Sequence, residues 1–145
     1  MLRKTILGCL IATIALTTGA FARGDENCDA STANRVAKAI FRVGDWPTLY
    51  RFYDKYGACD VDTVALGFTD RTSDMLANNW DTLPILADQA VQHPGFDKYV
   101  LSHLNRDVAP ALLKQIRNNA EQHCPADQTA LCDLITERIN KVLPY

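Results

Sequence analysis

Few residues of this 145-residue chain have the types and the spacing that catalysis requires. A serine hydrolase of the elbow type needs a G-x-S-x-G segment, and the sequence has none. Ser102 and His103 are neighbours, so on a helix their side chains would point to different faces. Glycosidases use a pair of carboxylates, and Asp70 and Asp74 would share one helix face, but like charges at this spacing are ordinary on an exposed face. Phosphate loops and dinucleotide fingerprints are also absent from the sequence. We therefore expect a protein that is not an enzyme and that uses no cofactor.

The cysteines allow either a metal site or disulfides. Cys9 lies inside an N-terminal apolar run, which leaves four: Cys28, Cys59, Cys124 and Cys132. Zinc sites usually contain closely spaced ligands such as C-x-x-C, and the sequence has no such pair, so two disulfides are favoured over a metal. Three connectivities are possible. We expect Cys28–Cys59 and Cys124–Cys132, because each bond would join neighbouring segments and close a modest loop, contributing roughly 3–4 and roughly 2–3 kcal/mol.

The N-terminus predicts an oxidising compartment for these cysteines. A basic start at Met1–Lys4 is followed by an apolar run from Thr5 to Leu16 and by Ala20-Phe21-Ala22, the pattern of a secretory signal peptide over residues 1–22. The apolar run is too short for a membrane span. The remaining residues 23–145 would form a single domain with 13 Lys and Arg against 17 Asp and Glu. We therefore expect a periplasmic or secreted, mildly acidic protein with no membrane span once the signal is removed.

The elements that position these residues are predicted to be helices. Apolar residues recur every three or four positions, and no alternating run of strand length occurs. Five aspartates stand where helix N-caps are expected: Asp45, Asp60, Asp81, Asp107 and Asp127. The pattern predicts seven short helices over 30–43, 46–56, 60–79, 81–93, 95–104, 107–123 and 127–142.

A faint internal repeat bears on how these helices pack. Trp46-x-Thr48-Leu49 recurs 34 residues later as Trp80-x-Thr82-Leu83. The short connections predict antiparallel helical hairpins, and the repeat would stack them as a short α-solenoid. Because the repeat matches few positions, a small irregular bundle is the alternative. Both architectures are all-α and include the two disulfides.

Nucleic-acid binding is disfavoured by charge. The mature chain is acidic, and its only basic row is Arg35, Lys38 and Arg42 on the first predicted helix. Phosphate binding would need a larger cluster of cations. Three such charges are usual on a solvated helix face, so a protein partner is the more reasonable expectation.

Ile85 departs from the pattern of its helix. It points away from the apolar stripe of residues 81–93 and lies among polar side chains that include Asp81 and Asp88. Packing between hairpins would bury Ile85. The other interpretation makes it an apolar anchor in an acidic surface, which is how protein-binding patches are built.

On that second interpretation, a partner-binding surface would combine the exposed apolar anchor with charges that steer association. The preceding repeat contributes a tyrosine and an aspartate from a neighbouring helix, and two aspartates of helix 60–79 would extend the surface if that helix shows the same side. We call the set the acidic strip; its members are Tyr50, Asp54, Asp70, Asp74, Asp81, Ile85 and Asp88.

The sequence thus predicts an exported, non-enzymatic protein-binding protein. We expect an immunity or inhibitor protein that occupies a toxin enzyme, with a basic protein as the partner. The alternatives are an accessory or scaffold subunit of an envelope complex and a small helical ligand-binding domain. A large apolar exposed patch would favour the scaffold, and a cavity with convergent polar groups would favour the ligand-binding domain.

Overall fold

The computed structural model of the protein describes residues 28–143, so the signal peptide predicted for residues 1–22 lies outside the described residues. Residues 28–143 contain seven α-helices and no strand, which confirms the all-α prediction. None of these helices is both long and apolar enough to cross a membrane. The helices are α1 Ala30–Ile40, α2 Trp46–Tyr56, α3 Asp62–Asn78, α4 Leu83–Gln92, α5 Phe96–Ser102, α6 Pro110–Gln122 and α7 Thr129–Val142.

The helices form a small bundle. The central α3 packs against both α1 and α6, and α6 packs against α7. The chain of contacts continues from α7 to α5, from α5 to α4 and from α4 to α2. A 3-10 turn at Gly57–Cys59 then joins α2 to α1, which closes the ring. The repeat predicts that α2 and α4 lie side by side, and they do. However, α3 is not among the helices on which α2 packs extensively, so the α2–α3 hairpin of a solenoid is missing and the structure is the small bundle.

Helix α3 is buried along most of its length because neighbouring helices cover more than one of its faces. Phe68, Met75 and Leu76 are all at most 1% exposed. Gly67 lets α1 approach closely, since a Cβ atom built there would overlap Cγ2 of Ile40. This close approach fixes the position of α1 on the central helix.

The predicted N-caps are only partly correct. Asp45 does cap α2, accepting a hydrogen bond from the Thr48 backbone N–H at 2.8 Å. An unpredicted cap, Asp29, accepts from Thr32 N at 2.6 Å, and this bond lowers the pKa of the Asp29 carboxyl.

The other four predicted caps are wrong, because α3, α4, α6 and α7 begin later than predicted and have no side-chain cap within the described chain. At α6 the reason is Pro110, which disfavours helical backbone at the residue before it, so Ala109 is not helical and Asp107 lies outside the helix. At α4 a 3-10 turn, Trp80–Thr82, takes up Asp81 and delays the helix to Leu83. Asp60 and Asp127 likewise precede their helices.

Both predicted disulfides are confirmed. Cys28–Cys59 ties the residue just before α1 to the 3-10 turn that follows α2, with Cα atoms 5.0 Å apart. Cys124–Cys132 closes the connection between α6 and α7 onto the first turn of α7, with Cα atoms 6.1 Å apart. Within residues 28–143, no group of three His, Cys, Asp or Glu side chains could hold a metal ion.

Candidate functional site

Ile85 is 45% exposed, so the interpretation in which hairpin packing buries it does not describe this structure. The cause is its position on α4, where Leu83 and Leu86 face the core at 1% and 0% exposure. Asp81, in the 3-10 turn just before α4, and Asp88 on α4 are also exposed, so the isoleucine lies between two carboxylates in the sequence. Nearly half of this large apolar side chain is therefore available for contact with another molecule.

The structure also brings together two of the three helices that carry the acidic strip, since α2 packs directly on α4. Asp54 on α2 is exposed and accepts a long hydrogen bond from the Tyr50 hydroxyl at 3.4 Å. The Tyr50 ring is half-buried and stacks on His93 with ring centroids 3.6 Å apart. Burial, followed by the Asp54 charge, raises the pKa of Tyr50. The Tyr50–His93 stack therefore holds the end of α4 against α2 and fixes one side of the strip.

Asp70 and Asp74 lie on α3, which packs on α1 and α6. Arg71 donates through Nη2 to Asp74 Oδ2 at 2.7 Å and through Nε to the Val43 carbonyl at 2.8 Å, just past the end of α1. Asn78 donates to the second oxygen of Asp74 at 2.7 Å. The Asp74 carboxylate is thus already paired, and it lies on the α1 side of α3. Asp70 is exposed on the same helix.

The acidic character of this protein is concentrated in two segments. Residues 72–97 and 118–137 each contain four Asp or Glu and no Lys or Arg. The rest of residues 28–143 contains twelve Lys and Arg against seven Asp and Glu. The first segment includes all of α4, and the second includes most of α7. One part of the molecule is therefore strongly acidic although the net charge of the whole chain is only −2.

The two acidic segments meet at an open groove of about 220 Å³ between α4 and the start of α7, which we call the α4–α7 groove. Three alanines line it: Ala87 and Ala90 from α4 and Ala130 from α7. The carboxylates of Asp97 and Asp127 complete the lining with Gln128, Leu131 and Leu134. Sequence reasoning missed this groove; the signal that could have found it is the absence of cations from both segments.

The exposed apolar side chains of this region extend beyond Ile85. Leu134, which lines the groove, is 43% exposed, and Val91 near the end of α4 is 82% exposed. Both lie within the two segments that lack Lys and Arg. The sequence predicted an exposed apolar side chain among acidic residues only at Ile85, and the structure shows the same combination at Leu134 and Val91.

A second arrangement that sequence reasoning missed is a buried polar chain. The Thr69 hydroxyl lies 3.0 Å from His103 Nδ1, and His103 Nε2 lies 3.1 Å from Asp60 Oδ2. The Tyr99 hydroxyl is buried beside it, and burial followed by the Asp60 charge raises the pKa of Tyr99. Tyr99 Oη and Asp60 Oδ1 have no hydrogen-bond partner of good geometry among residues 28–143.

This chain has the order hydroxyl, imidazole, carboxylate that nucleophilic hydrolases use. However, Thr69 is 2% exposed and His103 is 5% exposed, so in this conformation a substrate cannot reach the hydroxyl. The three residues come from α3, from the end of α5 and from the turn before α3, and their hydrogen bonds join these elements. The arrangement can therefore stabilise the fold.

No protein-family model matches the chain, and comparisons with curated proteins and with solved structures find no match either.

Proposed function

We propose that this chain is an exported, non-enzymatic protein that binds a basic protein partner, and that it acts as an immunity or inhibitor protein against a toxin enzyme. The observation that carries the proposal is the exposure of Ile85 within a region that has no Lys or Arg from residue 72 to residue 97. An apolar anchor gives a partner area to bury, and the surrounding carboxylates attract a partner of opposite charge. Asp54 is exposed on the adjacent α2, where Arg51 and Lys55 offset its charge.

The export part of the proposal draws support from the two disulfides, since such bonds persist in oxidising compartments. The non-enzymatic part draws support from the burial of the Thr69–His103–Asp60 chain, the arrangement among the described residues that most resembles a catalytic one. A region dense in like charge also costs folding free energy through self-repulsion, and partner binding would offset that cost.

A scaffold or accessory subunit of an envelope complex is the second candidate. The exposed Val91 and Leu134 favour it, because a permanent interface needs more apolar area than one isoleucine supplies. The two candidates differ in the partner: an immunity protein inhibits an enzyme at one-to-one stoichiometry, whereas a scaffold subunit remains in an assembly. A small-molecule site is less well supported, since the α4–α7 groove, at about 220 Å³, falls below the usual range of roughly 300–1,000 Å³ for ligand pockets.

The test compares Ile85→Asp with Leu66→Asp. Leu66 is a matched control because it is 49% exposed, close to the 45% of Ile85, and lies on α3. Both variants should keep the far-UV circular dichroism spectrum of the unmodified domain. Toxin genes adjacent to the gene of this chain supply candidate partners, and the binding of each purified candidate is measured by titration calorimetry.

We expect Ile85→Asp to weaken binding by about 2 kcal/mol, or roughly 30-fold in Kd, and Leu66→Asp to leave the Kd unchanged. Asp54→Asn with Asp88→Asn should mainly slow association and reduce its dependence on salt. If Ile85→Asp and Leu66→Asp bind the partner with equal Kd values, the proposed binding surface is refuted. If Ile85→Asp unfolds the domain, Ile85 is a packing residue and the proposal is wrong. Binding without inhibition of the candidate enzyme would favour the scaffold.

A further inference from the structure

We propose that the α4–α7 groove receives an apolar side chain from a basic segment of the partner. The inference rests on the proposed function in one respect, that the chain binds a protein. It adds a second contact region, because the groove lies between α4 and α7 and includes no member of the acidic strip.

The shape of the groove suits a side chain. Ala87, Ala90 and Ala130 leave space between the two helices because their side chains end at Cβ, and Leu131 and Leu134 supply apolar wall. Leu134 remains 43% exposed, so apolar area there is still accessible to solvent. A partner residue that covered it would gain about 25 cal/mol for each Å² of apolar surface removed from water.

Charge selects the kind of segment. Asp97 at the start of α5 and Asp127 just before α7 line the groove, and Asp88 on α4 and Asp133 on α7 are exposed. All four carboxylates belong to the two segments that contain no Lys or Arg, and Lys98 directly follows the first segment. The carboxylates would repel an acidic segment of the partner and would not attract a neutral one. Lysines or arginines next to the inserted apolar residue would be attracted by these carboxylates. The occupant that fits is therefore a basic amphipathic segment.

The wall contributed by α7 is preorganised. Four lining residues, Asp127, Gln128, Ala130 and Leu131, lie inside the loop that Cys124–Cys132 closes. The base of this loop is also held by Trp80, whose Nε1 donates to the His123 carbonyl at 2.9 Å. A wall that is already fixed loses little conformational entropy when a partner binds. The second disulfide would then serve recognition as well as stability.

The test titrates the oxidised mature domain with a synthetic amphipathic peptide that carries leucines at i, i+3 and i+7 and lysines elsewhere. A second peptide replaces the leucines with serine and keeps the charge. Binding is followed by two-dimensional ¹H–¹⁵N NMR, which locates the contact. Ala130→Trp fills the groove, and Ala111→Trp on α6 is the matched control, since both alanines are exposed and helical and Ala111 does not line the groove.

We expect saturable shifts at Ala87, Ala90 and Ala130 with the leucine peptide, and a Kd that rises at least about tenfold in Ala130→Trp but stays within about twofold in Ala111→Trp. Selective reduction of Cys124–Cys132 in the folded domain should also raise the Kd. Equal binding of the serine peptide, or equal Kd values for the two tryptophan variants, would overturn the inference.

These outcomes separate the groove from the proposed function. If Ile85→Asp weakens binding of the protein partner while Ala130→Trp does not, the groove assignment is wrong and the protein-binding function stands. If the leucine peptide binds the groove but no basic protein partner exists, the groove is supported and the proposed function is wrong.

Discussion

Replacing Thr69 with valine tests whether the buried Thr69–His103–Asp60 chain holds the fold together. The change keeps the shape of the side chain and removes the hydroxyl that lies 3.0 Å from His103 Nδ1. Because His103 is only 5% exposed, its ring nitrogen would lose that partner without gaining water. A buried polar group left unsatisfied costs about 1–3 kcal/mol, so we expect the free energy of unfolding to fall by that amount.

Thr72 provides the matched control on the same helix. It is 0% exposed, and its hydroxyl has no hydrogen-bond partner among residues 28–143. Thr72→Val should therefore be neutral or slightly stabilising, since it removes a polar group that is buried without compensation. The two variants should differ by about 2 kcal/mol in urea unfolding of the oxidised domain, which corresponds to roughly 8 °C in thermal midpoint. A Thr69→Val variant as stable as Thr72→Val would refute the structural role of the chain.

Three further changes test other parts of the fold. Asp45→Ala should lower the free energy of unfolding by about 1 kcal/mol, because it removes the cap of α2. Asp107→Ala should change this free energy by less than about 0.5 kcal/mol, since Asp107 lies outside α6. Equal losses for the two variants in urea unfolding would contradict the observed helix boundaries. Gly67→Ala should destabilise the domain by about 1–3 kcal/mol despite the high helix propensity of alanine, because the new Cβ would overlap Ile40 of α1. A higher thermal midpoint in this variant would disprove the close approach of α1 to α3. Burial and then the Asp60 charge disfavour the tyrosinate form of Tyr99 and raise its pKa, so this group leaves the free energy of unfolding unchanged below about pH 10 and lowers it as the pH rises further. Tyr99→Phe should flatten this alkaline loss of stability in urea unfolding measured as a function of pH.

The fold class and the disulfides could be predicted because they depend on local signals. Helical periodicity survives any arrangement of the helices, and an even number of cysteines with no closely spaced pair leaves few choices. Helix starts were harder, since an aspartate near a proline does not reveal which of them begins the helix. Asp107 and Pro110 show the difficulty: the extended backbone before the proline decides the boundary, and it leaves the aspartate outside.

The candidate functional residues could be predicted from the sequence only where the signal came from a single helix. The exposure of Ile85 follows from its angle relative to Leu83 and Leu86 on α4. The α4–α7 groove and the Thr69–His103–Asp60 chain combine residues from distant parts of the sequence, and periodicity does not report which helices become neighbours. The faint tryptophan repeat correctly indicated that α2 and α4 are neighbours, but it did not indicate that α2 would lie apart from α3, its predicted hairpin partner.

The central claim is that a basic protein binds the acidic region around Ile85. In its most direct test, the unmodified mature domain, Ile85→Asp and Leu66→Asp are immobilised in parallel. Each is exposed to periplasmic extract of the source organism, and the retained proteins are quantified by mass spectrometry. The claim predicts one basic protein that the unmodified domain and Leu66→Asp retain equally. Ile85→Asp should bind that protein with a Kd that is roughly 30-fold higher and should retain correspondingly less of it. Equal retention of that protein by all three domains, or retention of acidic proteins alone, would contradict it.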